Sequence, residues 1–220
     1  MQRGGYSKLI EVGIYAVAMA FLEAVFVVYL RNATIPNNIF VYRIELVREA
    51  ATIIMLAIIG ILAGRERYER VAFFMYAFAI WDIFYYVFLK VLIKWPASLL
   101  TWDTLFYIPV KWIGPVLAPV IVSITMIVLA LLIEKFELKR KKVYIALKEE
   151  ILLIIGSLLI LFTFVYDYSK LLIQGGFNLS SFEMQQILAS YIPSAYNWPV
   201  FILGEIIMLS GIILFYRRYK

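Results

Sequence analysis

The sequence predicts an all-α polytopic membrane protein: a bundle of six transmembrane helices with one short helix in the membrane interface. Three observations carry this. Of 220 residues, 64% are hydrophobic and 16% charged, whereas a soluble domain runs nearer half apolar and a quarter charged. Mean hydropathy is +0.89. The apolar residues also fall into six runs long enough to cross a bilayer as helices, which takes ~20 residues at ~1.5 Å each. Residues 1–220 read as a single transmembrane domain with no room for a separate soluble one.

The first span is expected from Lys8 to Leu30, with Glu11 near its start and Glu23 about two turns before its end. Basic residues precede it, as in a signal peptide. No small-residue cleavage site ends a short apolar region, so a retained span is expected. The loop RNATIPNN follows, with Pro36 and asparagines as turn residues. The second span, Val41 to Gly64, organises the rest. Its first two turns carry Arg43, Glu45, Arg48 and Glu49. Glu45 and Glu49 are four apart and share a face, and Arg48 lies three after Glu45.

A short basic loop, RERYER, leads to the third span, Val71 to Ile93, with Asp82 near its middle. Ala97 to Tyr107 reads as the interfacial helix. Pro96 and Pro109 bracket it, and its Trp and Tyr residues suit headgroup depth. The fourth span is expected from Ile113 to Ile133, with Gly114, Pro115 and Pro119 in its first turns. The basic segment Lys135 to Lys148 anchors one face against anionic headgroups. The fifth span is Ile151 to Ile173, with Asp167 and Lys170 near its end. The polar loop Gln174 to Ser194 has room for another short helix. The sixth span, Pro199 to Tyr216, carries Glu205 and ends in RRYK.

Orientation follows from the basic residues. On one side lie Arg31, Arg43, Arg48, Lys90, Lys94, Lys111 and Lys170, leaving 14 of the 21 on the other. The positive-inside rule then places the protein in the cell membrane with both termini cytoplasmic. The net charge of +6 sits in short loops and is no signal for nucleic acid. Cysteine and histidine are both absent. That excludes disulfides, thiol nucleophiles, thiolate and imidazole metal sites, and a Ser-His pair. Acid–base work falls to Asp, Glu, Lys or Tyr. No cofactor is indicated.

The functional signal is a polar layer. Counted inward from the outer end of each span, Glu23, Glu49, Asp167 and Glu205 lie at roughly 10 Å and Asp82 at ~16 Å, with Glu45 nearer the rim. Five of the six spans contribute, and acids outnumber bases at this depth. The candidate ligand-binding residues are Glu23, Glu45, Arg48, Glu49, Asp82, Tyr86, Asp103, Asp167 and Glu205. Asp82, Tyr86 and Lys90 form a helical stripe at four-residue spacing. Trp102, Asp103, Phe106 and Tyr107 make a second polar–aromatic set, placed as a lid. Intramembrane charge is expensive and normally faces a partner, a bundle interior or water. An outward-opening acidic pocket is therefore expected. The plain alternative is a set of ion pairs holding the bundle together, although buried pairs are a poor source of net stability.

The run WDIFYYVFLKVLIKWPASLLTWDTLFYIP, continuing to KWIGPVLAP, together with REAATIIMLAIIGILAG, resembles a family of small multi-spanning prokaryotic membrane proteins that is itself uncharacterised. The resemblance covers spans two to four and implies no activity.

Three functions fit these residues. A binding or transport protein would take a cation or small cationic ligand in the acidic pocket, since hard cations want several oxygen ligands. With six spans and no internal repeat, transport would call for a homodimer. A membrane-embedded enzyme would act on a lipid or polyprenyl substrate, with Glu49 or Asp82 as general base and Arg48 holding an anionic group. An accessory subunit of a larger membrane complex would use the layer structurally or as a proton path.

Overall fold

The computed structural model describes residues 5–32, 39–108, 110–139, 143–174 and 191–220. Among the described residues six helices are long and apolar enough to cross a membrane, which is the expected all-helical architecture. They are α1 (Gly5–Asn32), α2 (Ile39–Ala63), α3 (Arg67–Ile93), α4 (Leu117–Leu138), α5 (Leu147–Gln174) and α6 (Trp198–Tyr219). The start of α3, the end of α4 and the end of α6 meet in one cluster through Ala72, Phe136, Phe215 and Tyr219. At the same end Lys8 Nζ donates to the last carbonyl of α2, Ala63 O, at 2.6 Å and faces Glu69 at 3.7 Å. The start of α1 and the end of α6 therefore share this end of the bundle.

One expectation fails. The segment read as an interfacial helix is an antiparallel hairpin of β1 (Trp102–Phe106) and β2 (Trp112–Pro115), and α4 starts at Leu117, not Ile113. The residues explain it. Trp102, Thr104, Phe106, Trp112 and Ile113 are β-branched or aromatic types that favour a pleated surface. Five residues separate the strands, a usual hairpin loop length. The pairing continues past the strands: Val116 N–H donates to Thr101 O at 3.0 Å and Leu117 N–H to Leu99 O at 2.8 Å. The further short helix expected after Gln174 lies, up to residue 190, outside the described residues.

Small residues set the helix packing. On α1, Val12, Ala16, Ala20 and Ala24 recur every fourth position and are all buried. The first three share a core with Phe73, Ala77 and Trp81 of α3. Small side chains let helix backbones approach closely in a membrane, where apolar lipid removes the usual driving force for association. Gly156 of α5 and Gly204 of α6 do the same for the second pair. A methyl group at Gly156 would lie 2.7 Å from Gly204 O, and one at Gly204 would lie 3.0 Å from Gly156 O.

These contacts make α3 the hub, packed on α1, α2 and α4, while α6 packs on both α4 and α5. The hairpin closes the remaining gap. Phe106 stacks on Phe78 of α3 at 6.1 Å between ring centroids, and Trp112 stacks on Phe164 of α5 at 6.3 Å. The approach to α5 is close enough to need Gly114, where a Cβ would sit 3.1 Å from the Phe164 ring. The result is a ring running α3, α4, α6, α5 and hairpin back to α3.

The hairpin is also deeply inserted. Asp103 meets Tyr86, whereas Phe106 meets Trp81 and Phe78. Phe78 lies fifteen residues before Ile93, so the tip of β1 reaches about 22 Å down α3 from its end. Non-helical backbone at such depth is tolerated where protein buries it or where it lines a cavity. Here the two strands pair with each other, α4 and α5 pack on β2, and Glu49 accepts the Tyr107 N–H.

Candidate functional site

The acids predicted to form one pocket divide into separate local arrangements. The densest joins α1 and α2. Arg48 forms an ion pair with Glu23 through Nη1. Its Nε and Nη2 donate to Glu45 Oε2 at 3.1 and 2.9 Å. Thr52 Oγ1 lies 3.4 Å from Glu23 Oε2, and the Phe26 ring sits 5.1 Å from the guanidinium. Glu45 Oε1 is buried without a hydrogen-bond partner. The i, i+3 spacing of Glu45 and Arg48 made half of this cluster readable.

Glu49, one residue on, faces elsewhere. It is 7% exposed and its Oε2 accepts the Tyr107 backbone N–H at 2.9 Å. The inserted tip of the hairpin thus docks on a carboxylate of α2. Asp82 is buried between α3 and α4, where Ser123 Oγ donates to it at 2.8 Å. Glu205 is buried between α6 and α4, accepts from Thr125 Oγ1 at 2.8 Å, and has Oε1 without a partner. Tyr86 OH donates to Asp103 Oδ2 at 3.1 Å. Asp167 is half-buried near the far end of α5. The predicted stripe of Asp82, Tyr86 and Lys90 separates, since Lys90 Nζ turns to Pro96 O at 2.7 Å. Among the described residues no three carboxylates form a group that could hold a metal ion.

The structure places a cleft of about 260 Å³ on the face of the hairpin, lined by Arg31, Trp95, Trp102, Asp103, Thr104, Lys111, Ile113, Tyr191 and Ile192. Of the predicted residues only Asp103 lines it. The Arg31 guanidinium lies 4.1 Å from the centre of the Trp95 ring. Lys111 is 7% exposed. Burial pushes the Asp103 carboxyl up to about 6, against the Tyr86 hydroxyl, Arg31 and Lys111, which pull it down. Burial lowers the Lys111 ammonium, and Asp103 opposes that. Sequence reasoning used Arg31 and Lys111 only as topology markers. Nothing local to either residue signals that the hairpin brings them together.

Asp103 gives this region a pH signature. The folded protein holds the Asp103 proton more tightly than the unfolded chain does, so its contribution to stability is present below pH ~4 and lost as pH rises through about 6. Thermal unfolding in detergent should therefore show a midpoint falling between pH 4 and 7, and Asp103→Asn should flatten that fall. An unchanged slope in the variant would mean that the carboxyl is solvated.

Compared with family models, with curated proteins and with solved structures, the chain matches none. Its class rests on the fold: six apolar helices compatible with an integral membrane protein.

Proposed function

We propose that this is a multi-pass membrane protein that binds a small ligand at the cleft on the hairpin's face, reached from the side opposite the termini. By the distribution of basic residues that side is the cell exterior. The observation supporting the reading is that the hairpin is built into the bundle and that Asp103, Lys111 and Arg31 line one cleft on its face. Binding sites are typically concave, largely apolar, and carry a few convergent polar groups with shifted titration.

The cationic ligand expected from composition is less well supported than a ligand site as such. The predicted carboxylates are engaged in separate places: Glu23 and Glu45 by Arg48, Glu49 by the Tyr107 N–H, Asp82 by Ser123 and Glu205 by Thr125. The enzyme reading draws on Asp103, a carboxyl near pH 6 beside a buried lysine, which is the equipment of a general base. It would act on the same ligand at the same place.

The absence of cysteine makes the test direct. A single Thr104→Cys variant in whole cells should react with a membrane-impermeant maleimide. Lys220→Cys should react only after the cells are permeabilised. If Thr104→Cys resists labelling from both sides, the cleft is closed and the binding reading fails.

A further inference from the structure

We infer that Glu205 is a proton-binding site inside the membrane: its carboxyl carries a proton in the folded protein at neutral pH. Glu205 does not line the cleft on the hairpin, so this site and the ligand-binding reading stand or fall separately.

Position comes first. Glu205 lies seven residues past Trp198, the first residue of α6, which puts it ~10 Å along the helix. It is 6% exposed. One residue earlier, at Gly204, the backbones of α5 and α6 approach too closely to admit a side chain. Phe201 and Met208, about one turn to either side, are buried in a core shared with Ile160 and Phe164 of α5.

Partners come second. Thr125 Oγ1 of α4 lies 2.8 Å from Glu205 Oε2, and Oε1 is buried with no hydrogen-bond partner. Among the described residues Tyr196 is the one titratable group that faces Glu205, and its hydroxyl is engaged with Thr163 Oγ1 of α5 at 2.7 Å. No Lys or Arg pairs with Glu205 among the described residues. Residues 175–190, which precede α6 in sequence, contain neither. Other buried acids differ: Glu23 and Glu45 share Arg48, Glu69 has Lys8 and Glu149 has Arg218.

The chemistry follows from those two facts. An ionised carboxylate in apolar surroundings, with one hydroxyl beside it and no cation, is so costly that a group placed there neutralises instead. A metal cation would cancel the charge, but hard cations want about six oxygens or more, and among the described residues no three carboxylates gather. A water at Oε1 would supply a hydrogen bond and leave the charge in place. A proton on Oε2 removes the charge and turns the 2.8 Å contact into a bond donated to Thr125. Oε1 is then a carbonyl oxygen, and an unpaired neutral oxygen costs less than an unpaired charged one. Acids held within spans in this way mark proton relays in membrane proteins.

Infrared spectroscopy of the purified protein in detergent at neutral pH tests this. A neutral carboxyl has a carbonyl stretch above the amide band and an ionised one has none there; an exposed glutamate is ionised at this pH. Glu205→Gln should remove one carboxyl's worth of that band relative to wild type. Thr125→Val, which deletes the hydroxyl partner, should keep the band and shift its position. Survival of the full band in folded Glu205→Gln shows Glu205 to be ionised and overturns the assignment. Thermal unfolding reports whether that variant folds. If it does not, Thr125→Val decides: a shifted band supports the proton on Glu205, and an unmoved one overturns it.

Discussion

Arg48→Met is expected to destabilise the folded protein by about 3–5 kcal/mol, because it leaves two carboxylates facing each other with their shared cation gone. Glu23 and Glu45 both bond the one guanidinium, and their side chains are only 11% and 12% exposed. Arg48 itself is 21% exposed, so some solvent reaches the cluster and the lower end of that range applies. Chemical or thermal unfolding in detergent reads the loss. The control is a triple variant, Arg48→Met with Glu23→Gln and Glu45→Gln. Removing every charge together should restore most of the stability, since a buried pair adds little net free energy over neutral groups of similar volume. Wild-type stability in Arg48→Met alone would mean that the cluster is fully hydrated and ties α1 to α2 only loosely.

Gly156→Leu should have the next largest effect, roughly 3 kcal/mol or more, at the top of what overpacking costs. The obstacle is backbone. The first carbon of any side chain there meets Gly204 O at 2.7 Å, and only separation of α5 from α6 relieves it. Gly156→Ala should be milder but still harmful. Ile155→Leu, next along the chain and 44% exposed, should be neutral. A shift of unfolding midpoint in the order Leu, Ala, then Ile155→Leu supports the close approach, whereas equal midpoints would show the two helices already apart.

Much of the architecture was legible because hydropathy alone locates spans: no other structure satisfies every backbone group in lipid over so long a run. Within spans, short-range pairs were legible too. Glu45 and Arg48 lie three apart on one helix, and they bond. The partners across helices were not legible. Which acid Ser123 and Thr125 each meet depends on how α4 is rotated against α3 and α6. The hairpin was missed for a different reason. WDTLFYIPVKWIGP is aromatic and apolar, flanked by spans, and a short interfacial helix satisfies the same composition. What favours strands is a place between α3 and α5 where Phe106 and Trp112 find ring partners, and that place exists only in the assembled bundle. Arg31 and Lys111 are far apart in sequence, and only the hairpin's return brings them to one wall.

The closed ring has a consequence for biogenesis. The hairpin emerges from the ribosome between α3 and α4, yet one of its faces is completed by Phe164 of α5 and by Tyr196, whose ring lies 6.1 Å from Trp102. Until those residues are made, β2 rests only on β1 and α4. Insertion of the first four helices therefore yields an unfinished intermediate with a half-supported loop, and the last two helices act as its clasp. A chaperone or insertase that retains the nascent chain until α5 and α6 are in the bilayer would protect that loop from proteolysis during this interval.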